Sequence, residues 1–150
     1  IYSGNRDEAI NFYNKNENFI FRDSYIKGKV IKANLLEGLT EIKLGKDSLT
    51  VFSNTLHLDQ NVIVKIKATD IIISTVIPDK LSSLNYLKTN IKEVFFQEGL
   101  ACLILNYENN TIKALLTKKS YRKLNIKKGM QCYAIIKALN INDVTNVNLV

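Results

Sequence analysis

The sequence feature that most constrains the fold is an internal repeat. Tyr25-Ile26-Lys27 recurs as Tyr86-Leu87-Lys88, and Glu37-Gly38-Leu39 recurs as Glu98-Gly99-Leu100. Both matches fall at the same spacing along the chain, which indicates a duplication; the alternative is chance similarity between β-rich segments. A unit of about 60 residues is hard to stabilise alone, because it buries too little of its surface. We therefore expect two copies that pack together, over 24–80 and 81–150.

The later matches show where the two copies differ in length. Leu56-His57-Leu58 aligns with Leu124-Asn125-Ile126, and Lys67-Ala68 aligns with Lys137-Ala138, both at a wider spacing than the first two matches. The second copy has therefore gained residues. The insertion falls at the one convincing helix, which the sequence predicts over 118–124 with Thr117 as its N-cap.

Apolar residues alternate with polar ones through most of the chain after Tyr25, and this pattern predicts strands. The apolar run 71–77 predicts a strand buried on both faces. Together the patterns predict an all-β fold of tandem OB-like five-stranded β-barrel subdomains with one short helix. The other predicted strands are 26–32, 40–44, 62–67, 86–96, 99–106, 111–116 and 130–141.

The Asn-rich segment 1–23 differs from the rest of the chain, and we expect it to be a linker or an edge element. Because the sequence begins with Ile1 rather than Met, we expect a piece of a longer protein, with any targeting segment outside it. No run of 18 apolar residues is present, so no membrane-spanning helix is expected.

The residues that catalysis or metal binding would need are scarce. His57 is the only histidine, which argues against a histidine-rich metal site and against a Ser-His or Cys-His catalytic pair. Cys102 and Cys132 lie in apolar runs and form no CxxC pair, so we expect buried thiols in a reducing compartment. No P-loop motif occurs. An enzyme is therefore the least favoured function, and neither a metal nor a cofactor is expected.

The formal charge of +7 favours an anionic ligand or a nucleic acid. Residues 111–139 contain eight Lys or Arg and no acidic residue. The abundance of Lys, Asn and Ile is also typical of an AT-rich genome, so part of the charge is expected to be a solvated lysine face rather than a binding surface.

Two segments of the second copy fall where predicted strands begin or end, Ser82-Ser83-Leu84-Asn85 and Thr117-Lys118-Lys119-Ser120, and a third, Lys137-Ala138, lies within the predicted closing strand. In this order they resemble the TOBE, or molbindin-like (di-MOP), domain. The first copy adds Glu37-Gly38-Leu39-Thr40 and a strand 66–74 that contains Ala68-Thr69-Asp70. The whole pattern, over about residues 25–143, is similar to the C-terminal regulatory domain of the molybdate ABC transporter ATP-binding subunit.

The resemblance implies two OB-like barrels that exchange or share strands and dimerise. It implies molybdate or tungstate as the ligand, held at a subunit interface. It also implies a cytoplasmic regulatory domain, peripheral to the inner membrane, that contacts a membrane permease subunit through a parent ATPase. Nucleic acid is not among the partners that it implies.

The resemblance also implies which residues hold the oxyanion: Ser82, Ser83, Leu84, Asn85, Thr117, Ser120 and Lys137, with Lys67 and Lys118 as further candidates. Hydroxyls, main-chain N–H groups and one lysine suit a dianion, because they supply donors at little desolvation cost. The plainer alternatives are a Ser/Asn loop, a simple N-cap and a solvated lysine. Leu84 departs from relatives that carry a basic residue at its position.

Two other functions stay open. An OB-like module could bind single-stranded nucleic acid by stacking bases on strand aromatics such as Phe95, Phe96, Tyr107 and Tyr133. A dimerisation module without a ligand would account for Leu84.

Overall fold

The computed structural model describes residues 23–141 and 143–147. The predicted linker or edge segment at 1–23 lies outside this part of the chain, apart from Asp23. The described residues form ten strands, one α-helix and two 3₁₀ helices. The strands are β1 (Ser24–Asn34), β2 (Leu39–Lys43), β3 (Ser48–Phe52), β4 (Asn61–Ile66), β5 (Ile72–Ser74), β6 (Asn85–Gln97), β7 (Leu100–Tyr107), β8 (Asn110–Thr117), β9 (Gln131–Ile136) and β10 (Val144–Asn146). The helices are α1 (Lys118–Lys123) and the 3₁₀ helices Ala68–Asp70 and Ala138–Asn140.

The strands form two five-stranded antiparallel sheets, in the orders β10-β4-β1-β2-β3 and β5-β9-β6-β7-β8. Each sheet takes four strands from one copy of the repeat and its fifth strand from the other copy. β5 of the first copy pairs with β9, and β10 of the second copy pairs with β4. The all-β fold of two five-stranded OB-like units is confirmed, and the strand exchange is of the kind that the resemblance implied.

The duplication is visible in backbone details as well as in strand order. β1 has a bulge between Val30 and Lys32, and β6 has one between Ile91 and Glu93, at the equivalent place in the second copy. A bulge bends its strand and increases the local twist, so both long strands curl at the same point. Each copy also follows β4 or β9 with a 3₁₀ helix, whose N-cap is Lys67 or Lys137.

The structure corrects one alignment within the repeat. The N–H of Asp59 donates to the carbonyl of Val30 at 2.9 Å, and the N–H of Gly129 donates to that of Ile91 at 2.7 Å. Asp59 therefore corresponds to Gly129, at the same spacing that relates Lys67 to Lys137. With this spacing Leu56 matches Ile126, and both are buried. The extra residues of the second copy therefore lie before Ile126, because α1 precedes Ile126 in the chain.

The two sheets share one hydrophobic core, to which residues of both copies contribute. Polar contacts at the start of each long strand cross between the sheets in the same way. The amide of Asn85 on β6 bonds to the main chain of Thr50 on β3, and the hydroxyl of Ser24 on β1 accepts from the N–H of Lys113 on β8. The exchanged strands and these contacts tie the copies together, as a repeat too small to fold alone requires.

Two strand predictions are wrong in extent. The predicted strand 130–141 ends at Ile136, because the chain turns into the 3₁₀ helix Ala138–Asn140. The apolar run 71–77 is not a strand buried on both faces: β5 has three residues and lies at the edge of its sheet. Ile72, Val76 and Ile77 are each more than 60% exposed. Ile72 lies on this edge strand, and Val76 and Ile77 lie in the connection that leads from β5 to β6 of the same sheet.

Candidate functional site

A surface cavity of about 310 Å³ brings together three of the residues that the sequence singled out, Ser82, Ser83 and Lys137. Asp70 and Asn140 lie on the same cavity. The cavity is bounded by the end of the β5–β6 connection on one side and by the end of β9 on the other. Its apolar lining is Ile72, Leu81 and Ile135.

Strand pairing explains why these groups meet. Asn85, the first residue of β6, pairs with Ile136, the last residue of β9. The residues that precede Asn85 and the residue that follows Ile136 therefore emerge side by side. The Ser83 hydroxyl lies 3.1 Å from the carbonyl oxygens of both Asn85 and Ile136, and it accepts from the N–H of Asn85 at 3.3 Å. This bonding fixes the serine segment beside Lys137.

Asn85 has a structural role that the sequence did not indicate. Its side chain is buried, and its Oδ1 accepts from the N–H of Thr50 at 2.7 Å. Its Nδ2 donates to the carbonyls of Thr50 at 2.7 Å and Ile136 at 3.0 Å. Both hydrogens of the amide are therefore used within the protein, and this side chain joins β3 to the second sheet.

Thr117 and Ser120 form the predicted N-cap of α1. Thr117 Oγ1 accepts from the N–H of Ser120 and donates to its hydroxyl, both at 3.1 Å. Ser120 lines a second cavity of about 280 Å³, together with Lys123 and Leu124. Ile72 lines both cavities, so β5 lies between the Ser82–Ser83–Lys137 group and the Ser120 group. Ser120 is therefore separated from Ser82, Ser83 and Lys137, on a neighbouring concave surface.

The remaining candidates lie apart from the first cavity. Lys67 is exposed at the position equivalent to Lys137, but it does not line the cavity. Lys118 Nζ lies 5.9 Å from the centroid of the Phe96 ring. The exposed side chain of Leu84 lines a different concavity, beside Thr50 and Glu37 of the first copy.

Sequence reasoning missed three polar residues that line these cavities: Asp70, Asn140 and Lys123. Asp70 stood in a segment already quoted for its resemblance, and Lys123 stood in the basic run 111–139. The repeat spacing that relates Lys67 to Lys137 also relates Asp70 to Asn140, and it could have drawn attention to this pair.

The cysteines and the histidine contribute nothing to either cavity. Cys102 and Cys132 are buried thiols, as expected, and burial raises the pKa of the Cys102 thiol to about 11. His57 is exposed. Within residues 23–141 and 143–147, no three His, Cys, Asp or Glu side chains come close enough to hold a metal ion.

The aromatics named for nucleic-acid binding do not form a common stacking surface. Tyr107 and Tyr133 are buried, and the Tyr107 hydroxyl donates to Asp47 at 3.0 Å. The exposed Phe96 ring packs edge-on against Tyr121, with centroids 5.0 Å apart. Base stacking needs exposed ring faces along a groove. This arrangement therefore disfavours a single-strand binding surface.

In the part of the chain that the structure describes, no helix has the length and apolar character needed to cross a membrane.

Comparison with known proteins places this geometry in context. No family model matches the sequence. The molybdenum import ATP-binding protein ModC of Brucella abortus (strain 2308) is 29% identical over 105 residues, which is 69% of this chain and 29% of that protein. The ModC proteins of Brucella suis biovar 1 and Brucella melitensis biotype 1 give the same values. This chain thus spans less than a third of the length of these relatives.

Among solved structures, the cytoplasmic molybdate-binding protein ModG, in a form with molybdate bound, has a similar fold. The TM-score is 0.71 at 23% sequence identity, and the match covers 81% of this chain and 94% of that chain. Nearly the whole of that chain therefore superposes on the two sheets with exchanged strands described above.

Proposed function

We propose that this chain, a tandem TOBE/molbindin-like domain by its sequence similarity and its fold, binds a tetrahedral oxyanion, molybdate or tungstate, and is not itself an enzyme. The observation that carries the proposal is the convergence of Ser82, Ser83 and Lys137 on one cavity. ModC and ModG, whose names and descriptions refer to molybdenum import and molybdate binding, support the choice of ligand.

The donor chemistry suits a dianion. Lys137 supplies a positive charge, and the serine segment supplies the Ser82 hydroxyl and main-chain N–H groups at modest desolvation cost. The Ser83 hydroxyl directs its hydrogen at the carbonyls of Asn85 and Ile136, so its role is to hold this segment in place. A hydrogen bond to a charged group contributes about 1.5–3 kcal/mol. Four to six such bonds are ample for a micromolar site, which needs about 8 kcal/mol. One cavity of one chain offers fewer donors than that, so further donors are needed.

A second copy of the chain is the proposed source of those donors. Two exposed apolar side chains, Ile72 and Leu81, line the cavity, and Val76 and Ile77 are exposed on the chain between them. Apolar surface of this kind is stabilised by burial in an interface. In the proposed homodimer, the Thr117–Ser120 turn of a second copy approaches the Ser82–Ser83–Lys137 cavity, with Lys67 and Lys118 nearby. The main-chain N–H of Leu84 completes the proposed donor set, whereas the N–H of Asn85 already donates to the Ser83 hydroxyl.

The finer biological role follows from the ModC similarity and is part of the proposal. The chain would be the cytoplasmic, oxyanion-sensing regulatory domain of a molybdate-transporting ATPase. It would lie close to the inner membrane through the permease subunit with which that ATPase assembles. Oxyanion binding at a subunit interface would couple the ligand concentration to the arrangement of the two copies.

Thermal denaturation with added oxyanions tests the proposal. Molybdate and tungstate should stabilise the protein, by about 2.7 kcal/mol at a concentration 100 times the dissociation constant, and sulfate should stabilise it less. Lys137→Ala should reduce the molybdate affinity about tenfold or more, because it removes a charge-assisted bond. Lys88→Ala is the matched control, since Lys88 is an exposed lysine that lines neither of the two cavities, and it should change the affinity less than twofold.

Light scattering, combined with thermal denaturation, distinguishes oxyanion binding from the alternative of a dimerisation module without a ligand. A dimer that molybdate and tungstate stabilise supports the proposal. A dimer whose thermal unfolding neither anion changes would instead identify a dimerisation module without a ligand, the role that Leu84 favours.

A further inference from the structure

Two residues at equivalent positions of the repeat line the same cavity. Asp70 is the last residue of the 3₁₀ helix Ala68–Asp70, and Asn140 is the last residue of Ala138–Asn140. Both lie on the cavity that contains Ser82, Ser83 and Lys137. The first copy thus presents a carboxylate to the cavity, and the second copy presents a neutral amide of nearly the same size.

The difference between a carboxylate and an amide affects anion binding because few charges line the cavity. Among its lining residues, only Asp70 and Lys137 are charged, and their charges are opposite. The ion pairs among the described residues join Lys65 to two aspartates and Lys128 to Glu93, so none of them neutralises Asp70. The carboxylate therefore offsets the charge by which Lys137 would attract an anion.

A carboxylate also discriminates between anions by their protonation. An ionised carboxylate only accepts hydrogen bonds, so it repels an oxyanion whose oxygens are all deprotonated. An oxyanion that keeps a proton, such as hydrogen phosphate, can donate that O–H to the carboxylate in a charge-assisted bond. An asparagine at the same place repels neither class, because its amide is neutral and can donate.

Resting on the proposed function, we infer that Asp70 is a selectivity-determining residue of the cavity. It lowers the affinity for fully deprotonated dianions, such as molybdate, relative to oxyanions that retain a proton. Asn140, its counterpart in the second copy, leaves that affinity intact.

Calorimetric titration of the whole chain with molybdate, and competition of phosphate against molybdate, test the inference at neutral pH. Asp70→Asn should tighten molybdate binding about tenfold, because it removes a like charge from the cavity while keeping the side-chain shape. Phosphate binding should gain less than molybdate binding, or weaken. Asn140→Asp should weaken molybdate binding about tenfold. Circular dichroism checks that each variant is folded.

Asp59→Asn is the matched control. It removes one negative charge from an exposed residue outside the cavity, and an asparagine tolerates the positive φ of 67° at this position. It should change the molybdate affinity less than twofold. An Asp59→Asn effect as large as that of Asp70→Asn would overturn the inference, since net charge alone would then explain both.

The other outcomes separate the inference from the function on which it rests. If the wild type binds molybdate and Asp70→Asn binds it no more tightly, the inference is wrong and the proposed function stands. An equal gain for phosphate and molybdate would overturn the claim of selectivity. If neither the wild type nor Asp70→Asn binds any oxyanion, the proposed function and the inference are both wrong. Should Asn140→Asp fail to fold, Asp70→Asn alone decides.

Discussion

Asn85→Ala tests whether the two sheets are held together by the contacts described above. The substitution removes three hydrogen bonds of the buried amide, to the N–H and carbonyl of Thr50 and to the carbonyl of Ile136. Each such bond contributes a net 0.5–1.5 kcal/mol, and an abandoned buried partner costs about 1–3 kcal/mol. Because Thr50 is only partly buried, water can replace some of the loss. We expect Asn85→Ala to lower the free energy of unfolding by about 2–3 kcal/mol.

Urea denaturation followed by circular dichroism measures this loss, and two variants sharpen it. Asn85→Asp should cost at least as much, since a carboxylate can accept from the Thr50 N–H but faces two carbonyl oxygens. Ser24→Ala, which removes the single equivalent bond to the N–H of Lys113, should cost about 1 kcal/mol. A loss below about 1 kcal/mol for Asn85→Ala, or a milder Asn85→Asp, would refute the reasoning.

Further predictions concern packing and the thiols. Gly28→Ala should destabilise the fold by about 1–3 kcal/mol, because its Cβ would lie 2.9 Å from the Lys43 carbonyl oxygen; an unchanged urea midpoint would contradict this. Cys102 and Cys132 should react slowly with a thiol reagent at pH 8 until urea is added, and rapid labelling of the native protein would contradict their burial. Since burial raises the pKa of both thiols, the unfolded chain loses these protons first, so stability should fall as the pH rises above about 9; a constant urea midpoint from pH 8 to pH 10 would disprove it.

Local patterns were sufficient to predict most of the elements. The strands 86–96, 99–106 and 111–116 and the Thr117 N-cap are confirmed within about two residues, because alternation and capping are read from adjacent side chains. The strand exchange came only from the family resemblance. β5 and β10 have three residues each, which is too short for a pattern to show where they pair.

The candidate site shows the same limit. Ser82, Ser83 and Lys137 line one cavity, because the β6–β9 register places their segments together. Asn85 belongs to the same motif, yet its amide is engaged by Thr50, which lies far earlier in the chain and in the other sheet. Asp70 enters the cavity from the first copy. Contacts of this kind depend on the exchange of strands, so no local pattern in the sequence reveals them.

The most direct test of the oxyanion site is a diffraction experiment on crystals of this chain grown with sodium molybdate, with data collected at the molybdenum absorption edge. An anomalous peak should lie in the cavity formed by Ser82, Ser83 and Lys137, with an oxygen of the anion within hydrogen-bonding distance of the lysine ammonium group. A peak elsewhere, or no peak at a molybdate concentration well above that of the protein, would contradict the proposed site.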